Sequence, residues 1–363
     1  MTDVALSRLP DLIALAEEGS SDKRRALLRE LTEHFFGRSP HTDAESALYG
    51  EVMGRLAQDM ELAVRAELSS RFALTNQAPR ALVRRLANDE AAVAEAVLAA
   101  SPVLTEEDLL GVVKAHGQAH LRAVSRRPAV SEAVADVIVE RGDDETLGTL
   151  LRNDGARLSR RASEAAVERA KANPQLHEAT VARASLPPDL LNEMYFLVEA
   201  RLRQRILEQN ARLDPALLES ALVAGRNRVA ADDGVLPADY DESFAYVEEL
   251  RAANQLTPHM LARFLRSGSQ TPFLIALAQM ADIDFHTARK IVERRELDAL
   301  AVVCKAADLD RALFLTYAVV LLNDDGDALA KANAYARMYA DLERGAALRT
   351  LRFWRMRRTA QAA

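Results

Sequence analysis

VAEAVLAASPVLTEEDLLGVVKAHGQ (Val93–Gln118), LRAVSRRPAVSEAVADVIVERGDDE (Leu121–Glu145) and LGTLLRNDGARLSRRASEAAVERAKANPQ (Leu147–Gln175) are copies of one pattern. Each opens with a short apolar run, breaks at Pro or a polar pair, and continues as a longer amphipathic run. The break recurs at Ala78-Pro79, Ser101-Pro102, Arg127-Pro128, Asp154-Gly155 and Leu186-Pro187-Pro188, roughly every 26 to 30 residues. Four or five copies fill the stretch from about Val64 to Arg183. A single helix hairpin cannot bury both of its faces, whereas stacked hairpins share a continuous core. The period therefore predicts an α-solenoid.

Composition agrees. Of 363 residues, 49% are hydrophobic and 28% charged, as in folded soluble domains. Aromatics are only 5%, and the apolar share rests on Ala, Leu and Val, which suits close helix packing. Alternating β-branched runs are nearly absent. The fold class read from the sequence is all-α: a HEAT-like α-solenoid followed by a smaller C-terminal helical domain. A net charge of −7 gives no general case for nucleic acid. One cysteine, Cys304, rules out an internal disulfide framework and suits a reducing compartment. The longest apolar run, Ala312–Leu322, is about half of the ~20 residues a membrane-crossing helix needs. The expected location is the cytoplasm.

Cap chemistry sets the expected helix boundaries. Thr42 with Glu45, and Thr105 with Asp108, have the spacing of capping boxes. Ser131 follows Pro128 as a cap, and Pro cannot continue the helix before it. Residues 1–60 read as an N-terminal helical cap and 61–230 as the solenoid. Gly, Pro and four Asp make 231–241 a linker, followed by a helical domain over 242–345 and a basic tail over 346–363. In the helical domain, Thr257-Pro258 and Thr271-Pro272 read as cap-plus-Pro helix starts, with further starts at Asp284, Glu296 and Asp310.

The run VRAELSSRFALTNQAPRALVRRLANDEAAVAEAVLAASPVLTEEDLL (Val64–Leu110), with the Asn88-Asp89-Glu90 and Gly142-Asp143 turns, resembles the HEAT-like repeat region of an alphaproteobacterial family. That family is catalogued as a domain of unknown function, number 2336. DLDRALFLTYAVVLL (Asp308–Leu322) and the closing LRFWR (Leu351–Arg355) resemble its distal half. The unit also resembles the shorter leucine-rich-variant repeats. Neither resemblance implies a reaction.

Candidate sites are few. His116 and His120 share a helical spacing, but Gly117 ends the helix between them, so they read as an exposed pair. His259, Asp282, Asp284 and His286 could supply metal or acid–base chemistry only if their helices converge. NDDGD (Asn323–Asp327) fails as a calcium loop, since Leu321 and Ala332 would fall on ligand positions. Cys304 lies in an apolar run as an inert thiol. RLRQR (Arg201–Arg205), flanked by Glu199 and Glu208, reads as a solvated face. The segment Arg344–Arg358 holds six Arg and no acid around Phe353, Trp354 and Met356. Docking on its own chain through Leu348, Leu351 and Trp354 competes there with contact to an anionic membrane surface, and with contact to nucleic acid or an acidic partner.

These observations lead to an expected non-enzymatic scaffold or adaptor that holds a protein partner and needs no cofactor. Arg84, Arg85, Arg126, Arg127, Arg160 and Arg161, at similar points of successive repeats, would line one edge, with Arg352, Trp354 and Arg355 as a second contact. The alternative is a sensor for an anionic small molecule, such as a nucleotide messenger, held between the solenoid and the C-terminal domain. An enzyme with a His/Asp site near Asp282 ranks third.

Overall fold

The computed structural model describes residues 21–38, 40–226, 235–321 and 328–361. Among these are 22 α-helices and one 3-10 turn, with no strand beyond a single parallel bridge. The chain forms two compact units, Met1–Ser185 and Leu186–Ala363.

The first unit contains α1 (Ser21–Gly37), α2 (Asp43–Gln58), α3 (Leu62–Phe72), α4 (Arg80–Ala87) and α5 (Ala91–Ala100). It continues with α6 (Glu106–Ala115), α7 (Gln118–Ser125), α8 (Glu132–Arg141), α9 (Asp144–Leu151), α10 (Arg160–Ala172) and α11 (His177–Ala182). Equivalent helices stack. In one layer α3, α5, α7, α9 and α11 pack each on the next; in the other α2 packs on α4, and α8 lies between α6 and α10. This is the HEAT-like solenoid that the period predicts. Each helix turns paired positions one turn apart into the shared core, as Val93, Ala94, Val97 and Leu98 do in α5, and Val134, Ala135, Ile138 and Val139 in α8.

The caps stand where the sequence puts them. Thr42/Glu45 and Thr105/Asp108 form reciprocal capping boxes. The Ser131, Asp143 and Ser159 side chains accept from the first turns of α8, α9 and α10. Two of the sequence breaks also meet each other. Val130 N–H donates to Gly155 O at 3.1 Å, and Arg157 N–H to Val130 O at 2.9 Å. A Cβ on residue 155 would lie 1.9 Å from the Pro128 carbonyl, so only glycine fits that crossing.

Stacking parallel helices creates a difficulty at their carboxy ends. Each end leaves unpaired carbonyls and a partial negative charge, and the stack brings these ends together. Side chains from the following repeats answer the ends of α5, α7, α9, α6 and α8. Arg127 Nη1 and Nη2 donate to Leu98 O and Ser101 O at the end of α5, both at 2.7 Å. Asn153 Nδ2 donates to Ser125 O and Arg127 O at the end of α7, at 2.8 and 2.7 Å. Arg183 closes α9 through the Leu151, Asn153 and Ala156 carbonyls. In the second layer Arg141 reaches Val113 O and His116 O after α6. Arg169 reaches Val139 O and Gly142 O after α8, at 3.2 and 2.8 Å. Arg127 and Arg183 are buried, and burial pulls both guanidinium pKa values down.

The second unit holds α12 (Pro188–Glu193), α13 (Ala200–Ala211), α14 (Pro215–Arg226), α15 (Tyr240–Ala252), α16 (Pro258–Arg266) and α17 (Gln270–Ala281). After them come α18 (Phe285–Glu293), α19 (Leu297–Ala306), α20 (Arg311–Leu321), α21 (Ala328–Asp341) and α22 (Arg344–Gln361). Leu297 through Cys304 of α19 are all buried, and α18, α20, α21 and α22 pack on that helix. α22 also packs on α13 and α14, burying Ala347, Leu351, Phe353 and Trp354. This alters the domain boundaries read from the sequence. α13 and α14 belong with the second unit rather than the solenoid, because their apolar faces are covered by α22. The part of the basic segment from 346 to 361 correspondingly belongs to the helix that closes this unit. Leu348 is the exception within it and stays exposed.

Thr257, Asp284 and Asp310 cap their helices as expected. Thr271 does not: α17 begins at Gln270, and the Thr271 hydroxyl donates to Asp239 Oδ1 at 2.9 Å. Pro272 is tolerated in that first turn, where its absent N–H has no intrahelical acceptor. The N-terminal helix read in Leu9–Gly19, the Asn323–Asp327 joint and part of the 231–241 linker lie outside the described residues.

The neighbours Arg126 and Arg127 test the carbonyl-closing arrangement. Arg127→Ala leaves two buried acceptors open and should cost on the order of 3 kcal/mol. Arg126→Ala removes only an exposed ion pair to Glu95 and should cost less than about 1 kcal/mol. Urea denaturation of both variants, followed by circular dichroism, measures the difference.

Candidate functional site

The arginines expected to line one edge do not share one environment. Arg127 is consumed at the end of α5, and Arg85 donates to Gly54 O in α2. They are structural, because each donates to main-chain carbonyls of the preceding repeat. Arg84 is exposed and paired with Asp108, Arg126 with Glu95, and Arg160 with Glu164. Arg161 is exposed and makes no ion pair among the described residues. Of the second set, Trp354 is buried against Tyr195 and Phe196, with ring centroids 5.1 Å from each. Arg352 pairs with Glu219, and Arg355 donates to Ala281 O at the end of α17.

What the repeats leave on the surface is a different row. α6 and α8 are both ten residues long, and Arg141 joins their carboxy ends, so their amino ends lie side by side. Ser159, the cap of α10, donates to Asp136 Oδ1 of α8 at 2.7 Å, which continues the row to a third helix. Its charges are the exposed Glu106 and Glu107, then the exposed Glu132, then the half-buried Arg160 and the exposed Arg161. The three glutamates and Arg161 make no ion pair among the described residues. Glutamates at an amino end also favour the helix dipole, but Arg160 and Arg161 oppose it. Helix stability therefore accounts for the acidic part of the row and, through the i,i+4 pair with Glu164, for Arg160, but not for Arg161. The sequence reading passed over the glutamates because each looks like an ordinary first-turn acid; their alignment appears only once the helices are stacked.

The His/Asp grouping near Asp282 gains no support. Asp282 ends α17 in the left-handed conformation at φ 57°, and Asp284 caps α18. Among the described residues no group of three or more His, Cys, Asp or Glu could hold a metal ion. Cys304 is buried, and burial raises its thiol pKa strongly. Arg203 is a correction: it does not lie on a solvated face but turns inward to Asp298 and Glu296. A cleft of about 250 Å³ between α1 and α3 is lined by Arg25, Arg29, Thr32, Leu68 and Arg71 among others. Arg25 is paired there with Glu61, and Arg71 with Glu33. No helix among the described residues is long and apolar enough to cross a membrane.

Stacked helix pairs, tied by side chains that each repeat lends to the one before, define a helical-repeat protein. A family model described as an uncharacterised protein conserved in bacteria, DUF2336, matches residues 93–352, and the chain belongs to that family. No curated protein and no solved structure matches it.

His116 and His120 are stacked, with ring centroids 4.3 Å apart. The pair is not simply exposed: His120 is buried, and its Nε2–H donates to Asp89 O at 2.9 Å. His116 Nε2 donates to Asn88 Oδ1 at 3.0 Å, so both rings span to an adjacent repeat. Burial, and then the His120 charge, lower the His116 pKa. A histidine whose folded pKa lies below its unfolded value stabilises the fold above about pH 6.5 and loses that contribution as the pH falls. The first unit should therefore weaken on acidification from pH 7 to pH 5.5, and His116→Gln should flatten that dependence. Thermal unfolding across this range measures both.

Proposed function

We propose that this protein is a non-enzymatic interaction scaffold, and that the row formed by the amino ends of α6, α8 and α10 is its contact edge. The supporting observation is the mixed charge row itself: exposed Glu106, Glu107 and Glu132 followed by half-buried Arg160 and exposed Arg161, in the first turns of helices on three successive repeats. The partner that fits is a protein segment of opposite polarity, basic against α6 and α8 and acidic against α10. Arg127, Arg141, Arg169 and Arg183 of the solenoid are instead engaged in holding repeats together. A cytoplasmic location fits the single buried thiol. The reading as a sensor of an anionic small molecule draws support from the arginines of the α1–α3 cleft. It ranks second because Arg25 and Arg71 are already neutralised there.

Charge reversal tests the edge. Wild-type protein, Glu106→Lys with Glu107→Lys, and Arg160→Glu with Arg161→Glu are used as bait in native lysate after nuclease treatment, with chemical cross-linking. A partner cross-linked at α6–α10 by the wild type should be retained more than tenfold less by each variant, at unchanged melting temperature. Equal retention by all three baits would dismiss this edge.

A further inference from the structure

The second unit buries one cluster of charge that its packing does not balance. Arg203, in the first turn of α13, directs its Nε–H to Asp298 Oδ2, and its Nη1 donates to Val198 O at 3.1 Å. Glu296 Oε2 lies 3.5 Å from the same Nη1, beyond a good hydrogen bond, and has no hydrogen-bond partner among the described residues. The Glu296 and Asp298 side chains are each 8% exposed, and that of Arg203 is 15% exposed. Two buried carboxylates therefore face one guanidinium, and Asp298 holds its better-placed donor. Glu296 precedes α19 but makes no cap bond to it.

The surroundings supply little else. Arg294, in the turn before Glu296, directs its guanidinium to Phe196 O at 2.7 Å. From the turn after α12 comes Tyr195, fully buried, its hydroxyl without a hydrogen-bond partner among the described residues and its ring against Trp354 of α22. Among the same residues the Trp354 Nε1 likewise has no hydrogen-bond partner. Tyr195 lies close enough to feel the charges of Asp298, Arg203 and Glu296, and burial raises its own pKa well above the usual phenol value, so it stays neutral.

We propose that Glu296, with Asp298 and Arg203, forms a buried proton-binding site at the head of α19, which makes the packing of the second unit responsive to pH near neutrality. The bound proton leaves one carboxylate to one guanidinium and removes the repulsion between Glu296 and Asp298. It also supplies an O–H donor to a place that has an orphan hydroxyl. Burial is the largest influence on Glu296; Arg203 opposes it, Asp298 adds to it and Arg294 opposes it, leaving the carboxyl pKa raised to about 7. A carboxyl with a folded pKa above its unfolded value stabilises the fold fully below about pH 4.5 and loses that contribution as the pH rises through the folded value. The site acts on a helix enclosed on several sides, since α19 packs against α18, α20, α21 and α22.

The test is a ¹³C carboxyl NMR titration of the full-length chain, with Glu296→Gln to assign the resonance. The proposal requires a Glu296 midpoint near pH 7. Asp298→Asn should shift that midpoint downward, since one competing anion is gone. The wild-type melting temperature should also fall between pH 6 and pH 8 by more than that of Glu296→Gln. A wild-type midpoint near 4.5 would overturn the proposal, as would parallel pH profiles of the wild type and Glu296→Gln. Should Glu296→Gln not fold, side-chain-to-backbone correlation assigns the wild-type carboxyl, and the midpoint alone decides.

Discussion

A stack of parallel helices cannot close its own ends. The carbonyls at each carboxy terminus lack intrahelical donors, and the dipoles of neighbouring helices point the same way. In the solenoid Arg127, Asn153 and Arg183 close one layer, and Arg141 and Arg169 the other. Each comes from the repeat after the one it completes. This dependence fixes the register between repeats, because a guanidinium that donates to two carbonyls at once tolerates little slippage. It also explains how arginine can be buried without a carboxylate: the main-chain oxygens of a helix end carry the compensating charge.

The second unit uses the same device without any repeat. Arg349 donates to Asn210 O and Ala211 O at the end of α13, and Arg355 to Ala281 O at the end of α17. These arginines belong to α22, whose basic character in isolation suggests an anionic partner. Much of that charge serves instead to hold the helix on its own unit, while Leu351, Phe353 and Trp354 fill the space beneath. Arg203 departs from the pattern. It meets two side-chain carboxylates as well as a carbonyl, and so it is where protonation can change the balance.

Local signals were legible in the sequence, and those set by stacking were not. Thr42, Thr105, Ser131 and Asp284 act within three residues of themselves, and their cap roles follow from spacing alone. The period follows from the breaks, and with it the solenoid. Arg126 and Arg127, by contrast, are adjacent and chemically identical. Only the orientation of the turn after α7 sends one into the stack and the other to solvent. The same limit hid the alignment of Glu106, Glu132 and Arg160, and the inward turn of Arg203 within RLRQR. Each depends on residues roughly one repeat or more away along the chain. Thr271-Pro272 shows the converse error, in which a valid local signal yields to Asp239, which takes the Thr271 hydroxyl.

Hydrogen exchange on Arg127→Met, read by mass spectrometry beside the wild type, tests the dependence of each repeat on the next most directly. The substitution keeps much of the side-chain volume and removes the donors. Amide protection should fall in α5 and α7, whose ends meet at Arg127, while α10 and the second unit keep wild-type protection. Unchanged protection in α5, or an equal loss along the whole chain, would contradict the claim that side chains lent between repeats hold the solenoid in register.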